Sequence, residues 1–182
     1  TQLEMALPPA LVAELETIPI IDVHTHLVGS RLGARGLHDI LLYHMCISDL
    51  YAAGCPSGAR IPEDRSEEEA ARRVEEAIPY LATARNTAMA WGVRIILADL
   101  YNWHAPIDVS NWRNLDRLIK HHASNPSWPR EILKRANVAR TGTELYRGRD
   151  GSADDLLEYS IEWAFFARTP WGQPDIPLYE LE

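Results

Sequence analysis

Apolar positions crowd together once near the start of the chain. Ile18-Pro19-Ile20-Ile21-Asp22-Val23-His24-Thr25-His26-Leu27 is a short apolar run ending in two histidines one residue apart. The run reads as a buried strand, at residues 18–27, that gives way to a loop at Val28-Gly29-Ser30. Side chains alternate along a strand, so Ile20, Asp22, His24 and His26 share one face, and Ile21, Val23, Thr25 and Leu27 the other. Before it, Pro8-Pro9 suits a first helical turn, and Leu11, Val12 and Leu15 recur at helical spacing.

After the loop the period changes from two to three and four. Residues 37–53 carry Leu37, Ile40, Leu41, His44, Ile47, Leu50 and Tyr51 on one face, which predicts a long helix stopped by Gly54-Cys55-Pro56-Ser57-Gly58. Ser66 and Glu69 form a capping box for the next helix. Its apolar face is Ala71, Val74, Ala77, Ile78 and Leu81, its solvated face Arg72, Arg73, Glu75 and Glu76, and Pro79 bends or interrupts it. Residues 86–100 are ambiguous, since Val93, Ile95 and Leu97 alternate like a strand while Met89, Ala90, Val93, Leu97 and Leu100 fit a helix. Trp91, Tyr101, Trp103 and Trp112 make this region aromatic, for core or subunit contact.

Asp108 or Ser110 caps a further helix running to about His122, with Trp112, Leu115, Leu118 and Ile119 inward. His121 and His122 diverge by about 100 degrees on a helix, which makes them poor co-ligands and assigns them to the surface. Trp128-Pro129 opens a short helix that Asn137 closes, and Val138 to Glu144 reads as a second short strand, at about 138–143. Residues 145–160 read as a loop with a helix capped near Ser152, and the proline-containing end as a loop.

Composition narrows the class. With 182 residues, 46% hydrophobic and 24% charged, the chain has ordinary globular composition and enough length for a core. A net charge of -8 argues against a nucleic-acid partner, which needs a basic face. No stretch approaches the roughly 20 apolar residues of a membrane span, and no signal-peptide pattern is present. Two cysteines, Cys46 and Cys55, give no disulfide framework, so cytoplasmic localisation is the default expectation. A homo-oligomer remains open.

The chemistry concentrates at the two histidines. Neutral imidazoles two residues apart on one strand face can ligate one divalent cation, zinc first and also iron, nickel or copper. A third or fourth ligand must come from elsewhere. A His-x-His pair also occurs where both side chains merely pack. Its strand-to-loop setting singles this one out, because catalytic residues of parallel barrels sit at strand C-termini.

Pro-Ile-Ile-Asp-Val-His-Thr-His-Leu, residues 19–27, resembles the first-strand signature of the amidohydrolase superfamily of metal-dependent barrel enzymes. Gly36-Leu37-His38-Asp39 through Met45, residues 68–91, and Ala136-Asn137-Val138 with Thr141-Gly142-Thr143 resemble the order of segments in the uronate isomerase branch. The resemblance implies an α/β fold, the N-terminal part of a (β/α)8 TIM-like barrel with a largely helical insertion at about residues 37–136. It also favours a helix over residues 86–100. Eight strand-helix units need about 250 residues, so further barrel strands, and the remaining metal ligands, are expected beyond this chain.

The same resemblance implies roles for other residues. His44, with Tyr43, corresponds to a substrate-binding helix, although Met45 stands where the family has tyrosine and no arginine follows before Gly54. Asp22 orients an imidazole rather than serving as base. Glu144, where the isomerases have a Thr-Asp-Asp-Pro-like turn, contacts substrate or metal-bound water, or is an exposed loop carboxylate. The implied activity is hydrolysis or decarboxylation of a small polar or carboxylated substrate, such as a sugar acid, by a metal-activated water. Aldose-ketose isomerisation of a uronate is the alternative. A non-catalytic helical interaction module, or an incomplete barrel, is the third.

Overall fold

The computed structural model describes residues 8–25, 33–56, 61, 65–144 and 157–160. Two compact units emerge: Thr1–Leu32 with Pro129–Glu182, and Gly33–Trp128 between them.

The first unit contains a small parallel sheet. Its strands are β1 (Ile20–Thr25), β2 (Val138–Glu144) and β3 (Leu157–Ser160), in the order β1-β2-β3. Register runs Ile20 to Val138, Asp22 to Thr141 and Thr25 to Thr143, then Thr141 to Leu157 and Glu144 to Ser160. Strands in this sequential, parallel order end at one common edge. The β3 pairing corrects the reading of 157–160 as loop or helix, because main-chain bonding to β2 there overrides local sequence preference.

Helix α1 (Pro9–Thr17) precedes β1 and buries none of its residues. On β1, Ile21 and Val23 are 66% and 77% exposed, so the apolar alternation expected of a buried strand is present without a described element over that face. Gly142 in β2 explains the close approach of the first two strands. A Cβ there would lie 3.0 Å from the Val23 carbonyl oxygen.

The second unit is helical. The helix expected over residues 37–53 is two: α2 (Leu37–Leu41) and α3 (His44–Ala52). Leu42 leaves helical geometry at φ -105, ψ 45, and Tyr43 is extended at φ -134, ψ 141. The break has a packing reason. Leu37, Leu41, Leu42 and Leu50 all become almost wholly buried, and one continuous helix would turn Leu42 about 100 degrees away from Leu41.

Helix α4 (Glu67–Ala84) starts as the capping box requires, Ser66 Oγ accepting from the Glu69 amide at 3.2 Å, and it continues through Pro79. The ambiguous stretch is helix α5 (Ala88–Tyr101). Thr87 caps it by accepting from the Ala90 amide, and Asn102 ends it in the left-handed region at φ 51. Helix α6 (Trp112–Ala123) follows a turn in which Asp108 accepts from the Ser110 and Asn111 amides. Helices α2, α3 and α4 pack together, with α6 on α2 and α5 on α3, around Val74, Ala77, Trp112, Leu115 and Ile119.

Helix α7 (Trp128–Arg135) crosses the boundary between the units. At its head His122 stacks on Trp128, centroids 4.2 Å apart, and meets Tyr101 edge-on at 5.4 Å. His122 therefore belongs to an aromatic cluster, not to the open surface expected of it. Trp91, by contrast, is 61% exposed.

Candidate functional site

The sheet defines where the sequence-predicted chemistry stands. His24 is the penultimate residue of β1, near the edge at which the parallel strands end. His26 lies outside the described residues, as do the side chains of His24, His44 and Glu144. Glu144 closes β2 and pairs with Ser160 through the main chain.

Asp22 lies two residues before His24 on β1 and is half-buried. The Thr141 hydroxyl donates to its Oδ2 at 3.3 Å, and Thr141 is only 1% exposed. Register opposes the two residues on adjacent strands, so the bond fixes the Asp22 carboxylate against β2, just before the register shift between Asp22 and Thr25. Sequence reasoning singled out Asp22 and missed Thr141, which the Thr-Gly-Thr pattern alone does not mark. Among the described residues, no three His, Cys, Asp or Glu side chains are grouped to hold a metal ion.

In the helical unit, His44 begins α3 and Tyr43 is its half-buried N-cap residue. A stronger polar cluster lies just before them. Asp39 accepts from the Arg35 amide at 2.8 Å and from Arg35 Nε and Nη2 at 2.8 and 2.7 Å. The second bond of Arg35 Nη2 goes to the Ile61 carbonyl. Burial would raise the Asp39 carboxyl, but these bonds outweigh it and hold the group below the usual carboxylate range.

Its neighbour His38 is buried, with Nε2 3.5 Å from Asp39 Oδ1. Burial lowers the imidazole pKa, against the pull of the Asp39 and Asp116 charges, so His38 favours its neutral form. Asp116 of α6 accepts from the Leu37 amide at 2.9 Å and pairs with Lys120 at 3.0 Å. A Cβ on Gly36 would come within 2.8 Å of Asp116 Oδ1, so glycine leaves room for this approach. The cluster was visible in sequence only as two i,i+4 pairs, Arg35 with Asp39 and Asp116 with Lys120.

A pocket of about 800 Å³ opens between α3, α4, α5 and the segment 103–109. Its walls are mainly aliphatic, among them Leu50, Ile78, Val93 and Leu97, with Trp103 beside them. Arg85, Arg94, Asp49, Asp108, Thr87, Cys46 and His104 supply the polar part. Arg94 Nη1 donates to the Arg85 main-chain carbonyl at 3.1 Å, which holds the Arg94 guanidinium beside the end of α4, where Arg85 also lines the pocket. Burial and the Asp49 charge push the Cys46 thiol up, which disfavours a nucleophilic thiolate. No sequence motif marks this pocket, because its residues come from four separate segments.

The chain is thus a mixed α/β protein, mostly helical, with a small parallel sheet. None of the described helices is long and apolar enough to cross a membrane. No protein-family model matches the sequence, and no curated protein matches it either.

Proposed function

We propose that the chain belongs to a metal-dependent enzyme built on an amidohydrolase-like TIM barrel, which hydrolyses or decarboxylates a small polar or carboxylated substrate. The observation that carries this reading is the setting of His24. It stands at the end of the first strand of a parallel, sequentially ordered sheet, and a long helical stretch separates that strand from the second. Barrel enzymes draw their catalytic groups from this edge.

His24 and His26 are the residues that would hold the ion, and two imidazoles suit zinc. The bound cation would supply a water of lowered pKa and polarise a substrate carbonyl. Asp22, fixed by Thr141 two residues before His24, would orient the first ligand. Glu144, ending the adjacent strand at the same edge, would meet the substrate. His44 and Tyr43 are proposed as substrate contacts on the sequence resemblance alone. The helical stretch between the first two strands also supports a second reading, uronate isomerisation at the same centre.

Metal content of the purified chain, measured by elemental analysis beside a His24→Ala, His26→Ala double variant, tests the proposal. About one equivalent of divalent metal in the wild type, absent from the folded variant, is the expected result. A well-folded wild type that takes up no metal even when zinc is added would remove the enzyme reading.

A further inference from the structure

The pocket of the helical unit is separate chemistry from the β1 histidines, and its polar groups differ sharply in what they can offer a ligand. Asp108 is committed to its own turn, accepting from the Ser110 amide and hydroxyl and from the Asn111 amide. His104 Nε2 is engaged by Asn102 at 3.1 Å. Asp49 Oδ2 is buried without a hydrogen-bond partner, shielded from solvent in the α3 wall. The arginines are the opposite case. Arg85 has no side-chain partner among the described residues, and Arg94 uses one donor on the Arg85 carbonyl, so two exposed guanidiniums retain free donors beside an apolar chamber.

We infer that this pocket binds a small organic acid with an apolar body, the carboxylate on Arg85 and Arg94 and the body against Leu50, Ile78, Val93 and Leu97. The volume of about 800 Å³ is within the range of small-molecule sites. Guanidinium forks match a carboxylate's two oxygens, and each such bond is charge-assisted. The shielded negative charge of Asp49 on the opposite helix repels an anion, which turns the head group toward the α4–α5 wall. Apolar surface still facing solvent at this site, including Val109 at 66% exposure, is what the body of the ligand would cover.

The probe is decanoate, titrated below its micellar range into the full chain by calorimetry, with decanol as its neutral counterpart. One decanoate per chain is expected, bound about tenfold or more tightly than decanol. Arg85→Gln with Arg94→Gln should lower decanoate affinity about tenfold and leave decanol unchanged. Arg85→Gln alone, which removes no internal bond, should show part of that loss with the same circular dichroism and melting temperature as wild type. Ala98→Trp, which fills the chamber, should abolish binding of both. Equal affinities for decanoate and decanol, no binding by the folded wild type, or indifference to the arginine variants would overturn the assignment. So would a wild-type dimer that Ala98→Trp converts to monomer, because a second copy would then be the occupant.

Discussion

The side-chain amide of Asn137 donates to the carbonyl of Ile18 at 2.8 Å, across 119 residues of chain, and to that of Glu16 at 3.1 Å. Its own carbonyl accepts from the Ile20 amide at 2.8 Å. One residue in the left-handed region, φ 52, therefore ends α7 and sets where β2 begins beside β1. Asn137→Gly keeps the backbone conformation and loses the side-chain bonds, so a cost of about 1 kcal/mol is expected for these exposed pairs. Asn137→Ala adds left-handed strain of about 1–2 kcal/mol. Hydrogen exchange at the Ile20 amide reads both. It should quicken modestly in the glycine variant and markedly in the alanine variant, and equal rates in the two would show that the backbone angle carries no strain.

Between β1 and β2 there is no room for a further carbon at residue 142. A Cβ on Gly142 would sit 3.0 Å from the Val23 carbonyl oxygen and 3.5 Å from that of Asp22, both main-chain atoms that cannot swing aside. Gly142→Ala is expected to cost about 1–3 kcal/mol, the usual penalty of overpacking. Because the Asp22–Thr141 bond spans the same strands, the variant should also loosen the metal binding proposed at His24. Unaltered exchange protection of both strands would mean that they separate without penalty.

How much of this was legible in the sequence depended on whether a feature was local. The Ser66 cap, the helix end at Asn137 and the strand from Val138 follow from residues within a few positions of one another, and they could be read directly. The ambiguous stretch 86–100 is bounded by Thr87 and Asn102, helix-boundary residues that the apolar pattern itself does not weigh. The Leu42–Tyr43 break was invisible because helical periodicity persists across it, and only burial of both Leu41 and Leu42 requires it. Likewise the Leu37–Asp116 bond and the pocket join segments far apart in the chain. The place of Asp22 and His24 on one strand was readable, whereas the partner that holds Asp22 came from a strand more than a hundred residues away.

The Arg35–His38–Asp39 cluster makes the helical unit sensitive to acid in two stages. His38 faces Asp39 and Arg35 from its own segment and Asp116 and Lys120 from α6, and burial keeps its pKa below the ordinary value of about 6.5. As pH falls through that value the unfolded chain gains a proton that folded His38 resists, so stability drops. Asp39, held low by Arg35, adds a second loss below about 4, where the unfolded carboxylate protonates first. Urea midpoints followed by tryptophan fluorescence should therefore decline between pH 7.5 and 5.5, then again below pH 4. His38→Gln should flatten the first decline and spare the second. A first decline that persists in that variant would assign it to another group.

Pro79 stands thirteen residues into α4, on the exposed side, where it has no N–H to give the Glu75 carbonyl and the helix nevertheless continues to Ala84. A proline in a helix interior costs about 3 kcal/mol relative to alanine. Replacing it also frees the unfolded chain, which returns about 0.4–1 kcal/mol of the gain. Pro79→Ala should therefore stabilise the helical unit by about 2 kcal/mol in urea unfolding. The same residue lines the pocket, however, and restoring the missing bond would change the course of the α4 wall there. Higher stability together with weaker decanoate binding would mean that the proline is kept for the shape of the chamber at the expense of the helix. Higher stability with unchanged binding would separate the two, and a loss of stability would show that packing of the ring outweighs the bond it removes.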